Sequence, residues 1–210
     1  MKTETIKILA TFTEPLLGTA SANPAIQEEF IASKAPTASQ AEEVAAVSVA
    51  ESIAKATTIF PRDDDGLFLW DYQVRGFLKE AIGVLAELGE APGLSKWTYK
   101  RAVDALVFVS PRKCRLLDQN LSLVTRADGT EQRPIRCTTM QGDRVALASS
   151  ERLPAGTRIA FSVTLISGGE KAKLKVSREL LIEALNFGAL RGLGQWRNGS
   201  FGRFSWEEVQ

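Results

Sequence analysis

Residues 188–204 concentrate the side chains best able to hold a ligand. Gly188, Gly192, Gly194, Gly199 and Gly202 alternate there with Arg191, Arg197 and Arg203, around a centre of Gln195, Trp196 and Asn198. A plain turn needs one or two glycines; a greater number suits a backbone that takes positive φ or lets something approach closely. Bare amides, guanidinium forks and one flat ring are what a phosphate–sugar chain requires, with N–H donors for phosphate oxygens and a π face for a base. A second cationic pair, Arg75 and Lys79, flanks Gly76 at helical spacing.

Other chemistry is narrowed by what the chain lacks. It contains no histidine, which removes Ser-His and Cys-His nucleophile pairs, His-ligated zinc and imidazole acid–base catalysis. Cys114 and Cys137 are too few for a four-ligand zinc site. Each stands beside an arginine and is expected as a reduced thiol, with a disulfide between them left open. Asp63, Asp64 and Asp65 are consecutive and lack the alternation and closing glutamate of a calcium loop, so a solvated turn is expected. The expectation is a binder with no catalytic residue, no metal and no cofactor. A metal-dependent nuclease relying on Asp63–Asp65 trails behind it.

The chain that must position these groups has 210 residues, 44% hydrophobic and 24% charged, the composition of one globular domain with insertions. No apolar run approaches the ~18 residues of a membrane span, and the start lacks a signal-peptide core, so a cytoplasmic protein without membrane contact is expected. Net charge is only +1, yet residues 1–100 carry −5 and residues 101–210 carry +6. A basic face or association of opposite faces would both give that asymmetry.

Alternation over residues 5–13 predicts an opening strand. Asn23-Pro24 and the capping box Ser39–Glu42 open two helices within an insertion spanning about residues 14–58. Residues 60–66 read as a turn. From Trp70 to Leu88, Val74, Phe77, Leu78, Ala81, Ile82 and Leu85 fall on one helical face. Ser95 caps a helix through Asp104, followed by a strand over residues 106–110 and a basic turn over 111–115. A mixed insertion covers about residues 90–138. Strands follow over 144–149 and 157–166, then a helix capped by Ser177, the glycine-rich run and a strand over 203–206. Trp70, Trp97 and Trp206 are expected as core or edge packing. Without its insertions the order is βαββαβ, an α+β ferredoxin-like (RRM-like) core in a single domain.

The glycine-rich run resembles the loop of the RAMP superfamily, the ferredoxin-like RNA-binding proteins of CRISPR systems. In that family a Gly-x-Gly pair, a short spacer and a second such pair lie between the last helix and the last strand. Gly192-Leu-Gly194 matches the first pair and Phe201-Gly202-Arg203-Phe204 the close of the second, while Ser200 stands where the second pair would begin. Residues 75–79, Arg-Gly-Phe-Leu-Lys, are similar to the Lys-Gly-x-Leu-Arg helix opening of RAMP backbone subunits, although Trp70-Asp-Tyr72 replaces their Pro-Gly-Ser. Residues 13–24 have a weaker likeness to phage and prophage proteins. The resemblance implies a sequence-tolerant binder of RNA or single-stranded DNA that self-associates or joins a multisubunit complex. The implied interface is Arg75, Lys79, Arg191, Gly192, Gly194, Gln195, Trp196, Arg197, Asn198, Gly199, Gly202 and Arg203. Target-cutting backbone subunits use an aspartate after the first strand, and residues 13–58 contain none, so cleavage is not carried over. The alternative is a phage-encoded interaction protein that engages or mimics a host CRISPR or other defence complex.

Overall fold

Strand β1 (Lys2–Phe12) lies inside the main sheet and shows how the core is built. Ile6, Ile8, Ala10 and Phe12 alternate to one face and are fully buried. Strand β11 (Arg158–Ser167) runs antiparallel to it in full register, setting Ile6 opposite Val163, Ile8 opposite Phe161 and Ala10 opposite Ile159. These period-two faces lie under the helices, where each buried Ile, Leu or Phe contributes ~1.5–3 kcal/mol relative to exposure. The structure, a computed structural model, describes residues 2–21, 57–139, 142–167 and 174–209. The helices expected after Asn23 and Ser39 lie outside the described residues.

The remaining strands are β2 (Leu16–Leu17), β3 (Ala20–Ser21), β4 (Thr58–Ile59), β5 (Arg62–Asp63), β6 (Gly66–Trp70), β7 (Val107–Ser110), β8 (Lys113–Leu117), β9 (Gly129–Thr139), β10 (Gly142–Leu153) and β12 (Phe204–Val209). The main sheet runs β12-β1-β11-β8-β6-β5, with β7 also paired to β11. The second runs β2-β10-β4-β3, with β9 paired to β10 along its length.

A simple βαββαβ sandwich is therefore not what this chain builds. The described residues form twelve strands in two sheets and include a curled half-barrel sheet. The difference comes from segments expected as turns or insertions, or given no element at all. Residues 111–115 were expected as a basic turn, yet β8 begins at Lys113 and alternates Cys114 and Leu116 inward with Lys113 and Arg115 outward. Residues 66–70 form a short apolar strand that leads directly into a helix, which hides its period. β9 lies almost wholly in the stretch expected as a mixed insertion and pairs with β10 as a long hairpin.

Helix α1 (Asp71–Leu88) ends where expected, starts one residue later because Trp70 closes β6 and caps the helix, and buries Val74, Phe77, Leu78, Ala81 and Ile82. Its start is closed by the Gln73 side chain, which accepts the Trp70 N–H at 2.9 Å and donates to Thr19 Oγ1 at 2.7 Å. Gly89 ends it with φ 82°. Helix α2 (Tyr99–Leu106) lies beside α1, with the Tyr99 ring over Gly83. Helix α3 (Arg178–Asn186) is capped as expected, the Ser177 hydroxyl accepting the Leu180 N–H at 3.2 Å. No helix among the described residues is long and apolar enough to cross a membrane.

Candidate functional site

The glycine-rich run leaves α3 through a short 3₁₀ turn and closes on itself before β12. Leu193 N–H donates to Gly202 O at 2.8 Å, Gly202 N–H to Pro15 O at 2.8 Å, and Thr13 N–H to Arg203 O at 2.8 Å. A Cβ on Gly202 would stand 1.8 Å from Leu193 O, and one on Gly192 would stand 2.5 Å from the Gly202 carbonyl. Both residues also have positive φ, so only glycine lets the two strands of the loop meet. Gly188 lies against the Phe204 ring, Gly194 against Leu16, and Gly199 against the Trp196 ring. Close packing thus accounts for these glycines.

The polar side chains of the loop divide into an outer and an inner set. Outside, Glu80 of α1 takes Arg191 Nε on Oε1 at 2.8 Å and Arg197 Nη1 on Oε2. Arg191 also donates to Asn198 Oδ1. Partial burial opposes ionisation of Glu80, but the guanidinium groups of Arg197 and Arg191 outweigh it and hold the carboxyl below its ordinary value. Inside, Gln195 Oε1 accepts from Thr58 Oγ1 at 2.8 Å and Arg133 Nη2 at 3.3 Å, and lies 2.9 Å from Ser150 Oγ. Arg133 is only 4% exposed, and its hydrogen bonds among the described residues go to neutral oxygens; burial lowers its pKa. Trp196, at φ 52°, bridges the two sets. Its ring stacks on Phe201 at 5.0 Å, the Arg133 guanidinium sits 4.9 Å from its centroid, and 40% of the residue stays exposed. Arg203 is half-buried and has no ion-pair partner among the described residues.

Arg75 and Lys79 point elsewhere on α1. Arg75 Nη2 donates to Asp104 O of α2 at 2.6 Å and lies 3.4 Å from Asp104 Oδ1, with its guanidinium 5.6 Å from the Phe108 centroid. Lys79 pairs with the same carboxylate. Consecutive helical residues stand ~100° apart, so Lys79 faces α2 while Glu80 faces the loop. The expected site residues therefore form two groups on either side of the outward line of α1. Gly76 and Tyr72, one turn apart, occupy that line; Tyr72 is 60% exposed.

Three elements of this surface escaped the sequence reading. Glu80 gave no signal, because its partners are more than a hundred residues away. Tyr72 stacks on Trp70 at 6.2 Å, and Arg112 lies 5.6 Å from the Trp70 centroid, a cluster hidden by the strand–helix junction. Trp97, expected as packing, is 80% exposed between Lys96 and Lys100. Its basic neighbours were the available signal.

The aspartate cluster is occupied by cations. Asp63 accepts from Arg115 and Lys113 at 2.5 Å each, and Asp65 from Arg115 at 2.8 Å. Arg115 first and Lys113 second hold the Asp63 carboxyl well below the usual carboxylate range. No group of three or more metal-ligating side chains occurs among the described residues. Cys114 is a free, buried thiol pushed up to about 12, by burial first and Asp71 second. A cleft of about 400 Å³ lies between residues 118–128 and the β10–β11 turn. Its Asp118 is engaged by the N–H groups of Asn120 and Ser122, and its Asp128 by Arg152. No family model matches the chain, and no curated protein matches its sequence.

Proposed function

We propose that this protein binds single-stranded nucleic acid, RNA or DNA, without cleaving it, across the outward face of α1 beside the glycine-rich loop. One observation carries the proposal: Gly76 is exposed in mid-helix, and nothing among the described residues lies within 4 Å of where its Cβ would be. Glycine there costs the helix about 1 kcal/mol relative to alanine, and no packing among the described residues requires it. A bare lane across a helix suits a ligand backbone that comes close.

The groups beside the lane fit a phosphodiester chain. Arg191 and Arg197 share the one carboxylate of Glu80, and Arg75 and Lys79 share that of Asp104. Four cations against two carboxylates leave positive charge on both sides of Gly76. A guanidinium has five N–H donors, so these arginines keep donors for phosphate oxygens after their internal bonds are made. Tyr72 and Trp196 offer partly exposed rings on which bases can stack, worth ~1–3 kcal/mol each.

Fluorescence anisotropy with a labelled oligo(U) or oligo(dT) tests this. The Arg191→Ala/Arg197→Ala variant is expected to weaken binding and to flatten the salt dependence by ~0.7 per lost phosphate contact. Gly76→Leu is expected to weaken binding while the protein melts no lower. Undiminished affinity in both folded variants would overturn the proposal. Labelled strands should also stay intact with Mg²⁺ or Mn²⁺; turnover abolished at Asp63 would show a nuclease instead.

A further inference from the structure

The turn before α2 and the first turn of that helix carry a second cluster of cations around an aromatic ring, and the fold makes little use of it. Trp97 is 80% exposed, far more than a tryptophan that serves packing. Lys96 Nζ lies 5.0 Å from its ring centroid, and Lys100 Nζ lies 5.9 Å from that of Tyr99. No carboxylate among the described residues pairs with Lys96, Lys100 or Arg101, all of which are exposed. Three uncompensated cations beside an exposed indole repel one another and leave apolar area in water. Neither feature stabilises the monomer.

Position gives the cluster its meaning. Lys100 lies one turn before Asp104 and shares its face of α2. Asp104 is the residue that receives Arg75 and Lys79 from α1. The cluster therefore continues the cationic side of the α1 lane, one helix further from the glycine-rich loop. Packed helix axes lie ~8–10 Å apart, a step that a single strand spans with a few nucleotides. Of the occupants such a surface could take, a strand with spaced phosphates and unpaired bases meets both its charges and its ring.

We propose that Lys96, Trp97, Lys100 and Arg101 form a second docking segment for the same single strand, with Trp97 stacking on a base beyond the α1 lane. This rests on the binding mode proposed above. It predicts a footprint that the lane alone would not give: strands of ~4 nucleotides reach only α1, while strands of ~20 nucleotides engage both segments.

The test compares these two lengths by anisotropy across a salt series. Lys96→Glu/Lys100→Glu/Arg101→Glu is expected to lower affinity for the long strand at least about tenfold, to reduce its salt slope by about 2, and to leave the short strand unaffected. Trp97→Ala should weaken long-strand binding and Trp97→Phe should restore it, because a phenyl ring still stacks. Thermal melting confirms that each variant is folded. Equal long-strand affinity and slope in wild type and triple variant overturn this inference while leaving the α1 lane in place. If the wild type binds neither length, both the lane and the second segment fall. Trp97-dependent binding to vesicles containing phosphatidylserine, with no strand binding, would assign the cluster to a lipid surface and overturn the inference as well.

Discussion

The glycine-rich loop and the cluster at the start of α2 use nearly the same residues for opposite ends. Each sets cations around a tryptophan. In the loop, Arg191 and Arg197 close on Glu80, Asn198 closes on Arg191, and Trp196 is held between Phe201 and Arg133. At α2, Lys96, Lys100 and Arg101 meet no carboxylate among the described residues, and Trp97 stands in solvent. Composition alone therefore does not separate a clamp that fixes a loop to a helix from a cluster that the fold leaves exposed. The separating quantity is how many donors and how much ring area the fold has already consumed. On that measure the loop is mostly structural with a partly open outer edge, and the α2 cluster is open throughout.

The largest expected effect breaks the loop at its tightest point. Gly202→Ala forces a Cβ into Leu193 O at positive φ, a clash with backbone that no rotamer relieves. A loss of more than about 3 kcal/mol is expected. For a chain of this size that is a fall in Tm of roughly 10 °C. An alanine variant that melts with the wild type would mean that the loop does not close as described. No single substitution at the α2 cluster should approach this effect.

Glu80→Gln removes the shared carboxylate and is expected to cost about 1 kcal/mol, since both ion pairs are partly solvated. Its pH dependence gives a sharper check. The folded-state pKa of Glu80 lies below the ordinary value, so its contribution is complete above the unfolded carboxyl pKa of ~4.3. That contribution is lost as pH falls below this value and through the depressed folded pKa. The stability gap between wild type and Glu80→Gln should therefore be constant near neutrality and shrink in acid. A gap independent of pH down to the acid limit of folding would separate Glu80 from the arginines.

The sequence was most legible where a local pattern decides the structure. The period-two face of β1, the helical face from Val74 to Ile82 and the Ser177 cap all lie where their spacing places them, because each depends on residues only a few positions apart. The loop was readable as one cluster because its residues are contiguous. What it holds was not, because Glu80 reaches it only through tertiary packing. The βαββαβ expectation failed on β6, β8 and β9: β6 is a five-residue apolar run that merges with the helix after it, β8 alternates over only five residues in a basic stretch that also reads as a turn, and β9 is largely polar. Trp97 reads as packing because tryptophan is usually buried, yet it is exposed; Lys96 and Lys100 beside it are the local sign of that.

Gly76→Ala tests whether the α1 lane has any structural purpose. With open space around the Cβ position, the variant is expected to gain about 1 kcal/mol from helix propensity alone. A loss would place an undescribed neighbour against Gly76 and remove the observation on which the lane rests. The sign alone settles the matter, and it is opposite to that expected for Gly202→Ala.

The smallest expected effect is Trp97→Ala, and its smallness is the point. Truncating a buried tryptophan usually costs 3–5 kcal/mol, from lost transfer energy and the cavity left behind. Trp97 leaves no cavity, since 80% of it already faces water, and its visible contact is the partly solvated ammonium of Lys96. Such an exposed cation–π contact is worth ~0.5–1 kcal/mol at most, and the alanine recovers part of that through side-chain entropy. Stability should therefore change by no more than about 0.5 kcal/mol by urea denaturation, with no change in m. A loss beyond about 1.5 kcal/mol would mean that the ring packs against the protein, and the contrast with Trp196 would dissolve. A near-zero value alongside lost long-strand binding would show that the indole serves something outside the fold.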